Sequence, residues 1–421
     1  MVAHLIGIGF NQPHYPNTEF FLLHKVLHFF YDNCFIIKLH SHMMLILGSF
    51  LSVALALRPV FVETTPAETT LKSTSAISTL DAWRSLIRNA QHSIEWASFY
   101  VSFNEQDSQL VPSSIDGLIT DIERATRRGV RIRILIDSEI QDQYPLSLQR
   151  ISAIEGVELA VANRDRGVMH AKYVIVDQRS VYLGSANFDW RALEHISELG
   201  LRSDLLPIAE GLGQIFERDW AKATEQAERL LMIPASAKIA NYDHNFRLLG
   251  TPQSDLPSAS WYSLSALTEA IDFSETSIDI QLLSYETVDR QGHSWYVLND
   301  ALVNASKRGV KIRMLVADWS KGSSKEQALH QLNSQENIEI NWSVIPNGST
   351  GKIPYARVAH SKLAIFDRQI CWLGTSNWSR DYFENSRNVS VMISGKELPL
   401  QAQEYFNQLW NSYSEPIIQS D

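Results

Sequence analysis

The sequence has almost no cysteine, no excess of positive charge and no apolar run long enough to guarantee a membrane span. Only Cys34 and Cys371 occur among its 421 residues, which argues against a disulfide framework and against a cysteine-based metal site. The formal net charge is −10, so a protein that coats duplex nucleic acid non-specifically is not expected. An anionic substrate would have to be held by a local positive pocket.

The amino terminus predicts a targeting segment. Residues 43–57 are apolar and uncharged and end in Ala-Leu-Ala, as in the core and cleavage site of a signal peptide, although a buried helix is the alternative. We assign 1–62 to a signal or signal-anchor region and 63–79, rich in Thr, Ser and Ala, to a linker. We therefore expect an exported protein that is secreted, periplasmic or associated with a membrane through this segment.

From about residue 80 onward the chain repeats itself. The run ATRRGVRIRILI starts at Ala125, and its counterpart ASKRGVKIRMLV starts at Ala305. In both runs an amphipathic helix ends, a glycine follows and a strand begins. Each copy closes with a helix that carries Phe-x3-Trp, beginning at Phe216 in the first copy and at Phe406 in the second. Such self-similarity indicates one structural unit used twice.

The alternation of strands and helices predicts an α/β fold with two similar α-β-α sandwich lobes. The first lobe is expected at 80–230, the second at 263–415, and the connection between them at 231–262. A pseudo-twofold relation would bring equivalent positions of the two lobes together. The active site is therefore predicted in the cleft between them.

Each copy contains the same group of polar residues at the same spacing. The first copy has His170, Lys172 and Asp177, followed by Gly184, Ser185 and Asn187; the second has His360, Lys362 and Asp367, followed by Gly374, Thr375 and Asn377. Every matched pair differs by the same offset. The group was therefore duplicated together with the fold and did not arise from composition.

The residues around each histidine read as a strand, at 169–176 and at 359–366. Side chains two residues apart share a face of a strand, so each histidine projects beside the lysine of its own motif. Asp177 and Asp367 lie an odd number of residues away and should face the other side. We therefore assign these two aspartates to the hairpin as structural residues of the motif.

These residue types suit attack on a phosphodiester. One imidazole can attack phosphorus and form a phosphohistidine, while the other acts as general acid and then as general base. Lys172 and Lys362 can neutralise the phosphate oxygens, so no metal and no cofactor is expected. The phosphate is predicted to bind to the loop side chains as well, namely Ser185, Asn187, Thr375 and Asn377.

The two copies differ at one position. Glu198 follows His170 by the same number of residues that separates Asn388 from His360. A carboxylate on the far ring nitrogen fixes a tautomer and raises basicity. We therefore predict that Glu198 orients His170, with His170 as nucleophile and His360 as acid and base, although Glu198 fits a surface strand equally well.

Aromatic residues crowd both motifs: Phe188, Trp190, Tyr355, Trp378, Tyr382 and Phe383. Unpaired bases stack on such rings, acyl chains pack against them, and aromatic residues also fill ordinary cores. Arg357 and Arg380 are candidates for local positive charge, or else for ordinary ion pairs.

The motifs resemble the phospholipase D superfamily, whose signature is HxKxxxxD followed by G-[GS]-x-N. The runs YLGSANFDWR from Tyr182, IPYARV from Ile353 and GTSNWS from Gly374 are similar to the lysosomal phospholipase-D-like 5′ exonucleases and their poxvirus relatives. The resemblance implies a metal-independent phosphodiesterase that degrades single-stranded DNA or RNA. A phospholipase D or transphosphatidylase is the alternative, and an inactive membrane-associated scaffold is a remote one. The histidines, lysines and asparagines of both motifs are the implied active-site set.

Overall fold

The computed structural model describes residues 59–72, 74, 77–103, 113–226, 245–289 and 291–418. The chain from Arg58 onward forms one compact unit. It contains two large β-sheets of similar size with helices packed on them, which confirms the predicted α/β class with two lobes.

The first lobe is built on a seven-stranded sheet of order β1-β9-β7-β6-β2-β4-β5. Its strands, including a separate β3-β8 pair, are β1 Val60–Thr64, β2 Ser93–Ala97, β3 Val101–Ser102, β4 Arg131–Asp137, β5 Val157–Ala162, β6 Tyr173–Val176, β7 Ser180–Gly184, β8 Phe188–Asp189 and β9 Glu198–Ser203. Its helices are α1 Thr79–Asn89, α2 Ser113–Arg127, α3 Pro145–Ser152, α4 Trp190–Glu194 and α5 Leu206–Ala223.

The second lobe follows the same plan with one more strand, in the order β10-β16-β15-β14-β11-β12-β13-β17. Its strands are β10 Phe246–Thr251, β11 Ser277–Leu282, β12 Lys311–Ala317, β13 Ile338–Ser343, β14 Lys362–Phe366, β15 Ile370–Gly374, β16 Asn388–Ser394 and β17 Ser414–Pro416. Its helices are α6 Ser263–Phe273, α7 Val297–Lys307, α8 Ser324–Asn333, α9 Arg380–Glu384 and α10 Glu397–Ser412.

Each sheet is mixed in the same way. Three strands run parallel, β2-β4-β5 in the first lobe and β11-β12-β13 in the second, and they are joined by helical crossovers. The hairpins β6-β7 and β14-β15 then pair antiparallel to the middle of their sheets. The histidine of each motif precedes the first strand of its hairpin. The two histidines therefore lie at equivalent strand ends, near the middle of the sheet in each lobe.

Two predicted boundaries are corrected by the edge strands. Residues 60–64, assigned to the targeting region and the linker, form β1, which pairs antiparallel with β9. Residues 246–251, assigned to the connection between lobes, form β10, which pairs with β16. In both cases an apolar run gains a strand partner and buries its side chains, as the fully buried Val62 shows.

The strands that carry the histidine motifs are shorter than predicted, because β6 begins at Tyr173 and β14 at Lys362. The backbone before each strand pairs with the opposite lobe. The amide of His170 donates to the carbonyl of Arg387, and the amide of His360 donates to the carbonyl of Ser197. Each histidine thus lies just before its strand, outside the sheet of its own lobe.

One hydrophobic core runs through both lobes. Leu183, Leu199 and Leu201 of the first sheet belong to the same buried cluster as Leu373 and Val391 of the second. The opposite face of each sheet packs on the helices of its own lobe in a separate cluster. The lobes therefore share their innermost layer, which explains why they form one compact unit.

The Phe-x3-Trp pattern of the closing helices has a structural role. On α5, Phe216 and Trp220 stack, and the guanidinium of Arg133 lies 5.0 Å and 5.3 Å from their ring centroids. Arg133 also donates to Glu95 on β2. The second lobe repeats the arrangement with Arg313, Phe406, Trp410 and Asp279.

The predicted targeting segment at 43–57 lies outside the described residues, so export stays a prediction. Among the described helices, none is long and apolar enough to cross a membrane.

A buried ion pair joins the lobes beside the histidine motifs. Arg387, which precedes β16, donates through two nitrogens to the carboxylate of Asp219 on α5, at 2.7 Å and 3.0 Å. Arg387 is fully buried, and it also donates to the carbonyl of Thr251. The backbone carbonyl of Arg387 also accepts the amide of His170. The ion pair therefore fixes the backbone that holds the first motif.

We expect Asp219→Asn to lower the free energy of unfolding by about 3 kcal/mol, because it removes the closer counter-charge of the buried guanidinium and leaves that of Asp255, at 3.9 Å. Urea unfolding, followed by fluorescence, measures the change as a lower midpoint. The matched control is Asp116→Asn, whose partner Arg150 is exposed. The control should lose less than about 1 kcal/mol. Equal losses in the two variants would contradict a stabilising role for the buried pair.

Candidate active site

The two predicted catalytic histidines lie at the junction of the lobes. His170 and His360 are both buried, with exposed fractions of 5% and 9%. Each is held by its backbone against the other lobe, since the residues before them pair as isolated bridges with Arg387 and Ser197. The charge of His360 is close enough to His170 to lower its pKa. The structure therefore brings the two motifs into one site.

Both predicted lysines share this site. The ammonium group of Lys172 donates to the carbonyl of His170 at 2.7 Å, and that of Lys362 donates to the carbonyl of His360. Burial lowers the pKa of Lys362 to about 7, against the opposing effect of the Glu198 carboxylate. Burial also lowers the pKa of Lys172 well below its usual value, and the charge of Lys362 adds to the decrease. Burial therefore favours the neutral form of both lysines, and an anion bound beside them would favour the ammonium form.

Glu198 orients His360 and not His170, so its predicted partner was wrong. The carboxylate oxygens of Glu198 lie 2.9 Å and 3.0 Å from Nδ1 of His360. The reason is the exchange of backbone pairing between the lobes. Glu198 directly follows Ser197, whose carbonyl receives the His360 amide, so its side chain meets the histidine of the opposite lobe.

Asn388 is the corresponding partner of His170, and the sequence reasoning missed this role. Its Oδ1 lies 3.2 Å from Nδ1 of His170 and also accepts from the hydroxyl of Thr375. Its Nδ2 donates to the carbonyl of Tyr382 and to the hydroxyl of Thr251. These contacts fix the direction of the amide, so Nδ1 of His170 carries the proton. The matched spacing of Glu198 and Asn388 was the available signal.

The two imidazoles differ in how readily they hold a second proton, because their Nδ1 partners differ. Burial lowers the pKa of His170 well below its usual value, and the nearby lysines act in the same direction. Burial also lowers the pKa of His360, but there the Glu198 carboxylate opposes the decrease. His170 therefore stays neutral more readily, and His360 retains a second proton more readily. In both rings the partner on Nδ1 leaves Nε2 to act.

In the glycine loops after β7 and β15, the hydroxyls of Ser185 and Thr375 bond to the protein itself, whereas the asparagine oxygens do not within the part of the chain that the structure describes. The hydroxyl of Ser185 donates to the carbonyl of Leu199 and accepts its amide, and the hydroxyl of Thr375 bonds Asn388. These two hydroxyls, predicted to bind phosphate, are thus already used. Among the described residues, Oδ1 of Asn187 and Oδ1 of Asn377 are buried without a hydrogen-bond partner.

Asp177 and Asp367 are placed away from the imidazoles, in the turns of their hairpins. The carboxylate of Asp177 accepts three backbone amides, from Gln91, His92 and Ser93. Asp367 does the same for the equivalent loop of the second lobe. Both aspartates have left-handed backbones in tight turns, with φ of 51° and 50°. They tie the hairpin to the loop that precedes β2 or β11, and do not reach the site.

The aromatic residues fall into two groups. Phe188, Trp378 and Phe383 are fully buried in the core. Tyr382 lies against the site, with its ring centroid 4.9 Å from that of His170. Phe99, which the sequence reasoning did not include, flanks the same imidazole at 5.1 Å. It follows the carboxyl end of β2, where the strands of the sheet open toward the motifs.

The two candidate arginines do not provide free positive charge. Arg357 is buried and donates to the carbonyls of Pro346 and Ala67. Arg380 pairs with Glu384 and with Asp289. The positive charge that faces the site therefore comes from the two lysines.

Known proteins resemble the chain over most of its length. A family model described as "Cardiolipin synthase, PLD-like domain" matches residues 83–220 and 267–410. Phospholipase D Z of Dictyostelium discoideum is 31% identical over 82% of this chain and 87% of its own. The 5'-3' exonuclease PLD3 of Xenopus laevis is 30% identical over 84% of this chain and 80% of its own. The phosphatidylserine synthase of Haemophilus influenzae matches with a TM-score of 0.56 at 13% identity, over 80% of this chain and 85% of its own, which shows a shared fold.

We expect Glu198→Gln to lower the pKa of His360 by at least about one pH unit, because an adjacent carboxylate favours the charged imidazole. The pKa of His170, whose Nδ1 faces Asn388, should change less. Titration of the histidine Hε1 resonances by NMR measures both values. An equal decrease at His170 and His360 would contradict the pairing of Glu198 with His360.

Proposed function

The chain belongs to the phospholipase D superfamily, and on that premise we propose that it is a 5′ exonuclease of single-stranded DNA or RNA. The observation that carries the proposal is a buried cluster of two imidazoles and two lysines. In this cluster Nδ1 of each imidazole contacts a side chain of the opposite lobe. This cluster suits a phosphodiester, and the rings of Phe99 and Tyr382 beside His170 suit an unpaired base. Relatives named 5'-3' exonuclease support the same substrate class.

In the proposed reaction His170 is the nucleophile. Its low pKa keeps the ring neutral, and Asn388 holds the proton on Nδ1, so the lone pair of Nε2 can attack phosphorus. The phosphorus–oxygen bond to the leaving group breaks as the bond to Nε2 forms. The product is a phosphohistidine at His170. His170 was also predicted as the nucleophile from the sequence, but there the reason was a contact with Glu198. The reason is now its contact with Asn388, since Glu198 contacts His360.

His360 then acts as general acid and general base. The Glu198 carboxylate helps it to keep a proton, which it gives to the departing oxygen. The neutral ring next takes a proton from water, and the resulting hydroxide attacks the phosphohistidine. That step releases the phosphate product and restores His170. Glu198 stabilises the imidazolium that forms at each turnover.

Lys172 and Lys362 neutralise the oxygens of the phosphate. They are fixed by the carbonyls of their own histidines, so their positions are set before the substrate arrives. The negative charge of the bound phosphate then favours the ammonium form of both side chains. Asn187 and Asn377, in the loops after β7 and β15, have buried amide groups that can donate to the phosphate through Nδ2. The charge stabilisation that other phosphodiesterases obtain from Mg²⁺ is proposed to come from these groups.

A phospholipase D is the second candidate, favoured by the relative of that name in Dictyostelium discoideum. The same cluster would attack a lipid phosphodiester, and the aromatic side chains would contact an acyl chain. The two candidates differ in the group on either side of phosphorus. A comparison of a labelled oligonucleotide with phosphatidylcholine vesicles therefore separates them.

We expect the purified protein to shorten a single-stranded oligonucleotide with a 5′ hydroxyl, and to do so in the presence of EDTA. His170→Ala should lower kcat by at least about 10³-fold, since the nucleophile is lost. Release of mononucleotides, followed by chromatography, measures the reaction, and His330→Ala, remote on α8, serves as the control. Headgroup release from vesicles without oligonucleotide cleavage would instead support the phospholipase.

The pH dependence should follow Lys362. Its pKa of about 7 means that the ammonium charge is present below that pH and lost above it. We expect kcat/KM to fall as pH rises above about 7, by up to tenfold for each pH unit. Lys362→Arg keeps its charge and should flatten this decrease, although its lower absolute rate will reflect altered geometry. The control Lys352→Arg should keep the wild-type profile. A wild-type rate that increases steadily to pH 9 would contradict this assignment.

A further inference from the structure

A row of aromatic rings leads away from His170 through the first lobe. Phe99 lies 5.1 Å from the imidazole, and the next ring, Tyr100, lies 5.7 Å from Phe99. Tyr100 stacks on Tyr144 at 5.0 Å with an interplanar angle of 24°. These three aromatic side chains are half-buried, so part of each remains open. The row extends the aromatic surroundings of the nucleophile toward solvent.

The outer part of this row is held in place by Arg191 on α4. Its guanidinium pairs with Asp189 at 2.9 Å and donates to the hydroxyl of Tyr144 at 3.1 Å. The hydroxyl of Tyr100 donates to Asp189 at 2.9 Å. Both tyrosines are therefore anchored by their polar ends, which fixes the orientation of their rings before any ligand binds.

Tyr355 of the second lobe covers the outer end of the row. The guanidinium of Arg191 lies 5.9 Å from its ring centroid, and Arg191 also donates to the carbonyl of Pro354. One face of the Tyr355 ring thus rests on the cation. The side chain is nevertheless 69% exposed, so its other face is open to solvent.

The backbone holds Tyr355 in this exposed position. Tyr355 and Arg357 have left-handed backbones, with φ of 59° and 56°, although neither is glycine. Such conformations are unfavourable for residues other than glycine and are found at ligand clamps. The side chain of Arg357 fixes the segment by donating to the carbonyls of Pro346 and Ala67. The ring is thus displayed by a tightly held segment of the second lobe.

We propose that the open face of Tyr355 stacks on a nucleobase of the substrate strand, several rings away from the scissile phosphate. This role rests on the proposed nuclease function and assigns to Tyr355 a base beyond the reacting nucleotide. Phe99, Tyr100 and Tyr144 form the track that leads to it, and Tyr144 is itself covered by Tyr100 and by the Arg191 guanidinium. Stacking on a tyrosine needs only the π-face that every base has. The buried ion pair and the tyrosine hydroxyls make this track a poor surface for an acyl chain.

The test measures KM for a short single-stranded oligonucleotide with Tyr355 variants of the full chain. Tyr355→Ala should raise KM by roughly 5- to 150-fold, the change that corresponds to about 1–3 kcal/mol for stacking on one base. Tyr355→Trp should keep a wild-type KM, whereas Tyr355→Leu should resemble the alanine variant because it lacks a π-face. The matched control is Tyr296→Ala, an exposed tyrosine directly before α7 of the second lobe.

Oligonucleotides with a single abasic position locate the contact. In the wild type, KM should increase when the base is missing at one particular position along the strand. In Tyr355→Ala that same position should lose its effect, while the other positions keep theirs. This result would show that the ring and the base at that position contribute one shared interaction.

Two failures can be told apart. Normal cleavage with an unchanged KM in Tyr355→Ala, or an unchanged abasic profile, overturns the stacking role and leaves the nuclease function intact. If the wild type cleaves no oligonucleotide but still hydrolyses bis(p-nitrophenyl) phosphate, the nuclease function itself is overturned, and the stacking role with it. Equal KM increases in Tyr355→Trp and Tyr355→Ala would also reject base stacking.

Discussion

The active site depends on an exchange of backbone hydrogen bonds between the two lobes. The amide of each catalytic histidine donates to a carbonyl of the opposite lobe, at Arg387 for His170 and at Ser197 for His360. The residue after each of those carbonyls then reaches the imidazole on the far side of the junction. The shared hydrophobic core and the buried pair of Arg387 with Asp219 keep this exchange in register. The orientation of the two imidazoles therefore depends directly on the packing between the lobes.

Crosswise pairing also explains how two matched motifs can carry out the two different tasks that we propose for them. The copies are alike in their imidazoles, lysines and loop asparagines, and they differ in the partner of Nδ1. A neutral amide leaves His170 as a base, whereas a carboxylate helps His360 to retain its proton. Neither Asn388 nor Glu198 carries a positive charge. In the proposed reaction the two buried lysines supply that charge to the bound phosphate. The division of labour thus follows from one substitution at equivalent positions.

Much of this was accessible from the sequence because it depends on local periodicity. Turn composition correctly placed Asp177 in its hairpin, although the strand alternation also used for it does not reach His170, since β6 begins at Tyr173. The order of helices and strands predicted the two-lobed class. The partner of Glu198 was not accessible, because a fixed spacing within one copy says nothing about which lobe its side chain meets. The edge strand at 60–64 was missed for a related reason: its partner β9 is far away in the chain, and an apolar run alone suits a signal segment equally well.

The exchange of partners has a consequence for how such a molecule evolves. Because each half completes the catalytic group of the other, neither half is sufficient by itself. A pair of identical subunits could assemble the same site, but symmetry would force one residue type on both partner positions. Joining the halves in a single polypeptide removes that constraint, so Glu198 and Asn388 were free to diverge and to specialise the two imidazoles.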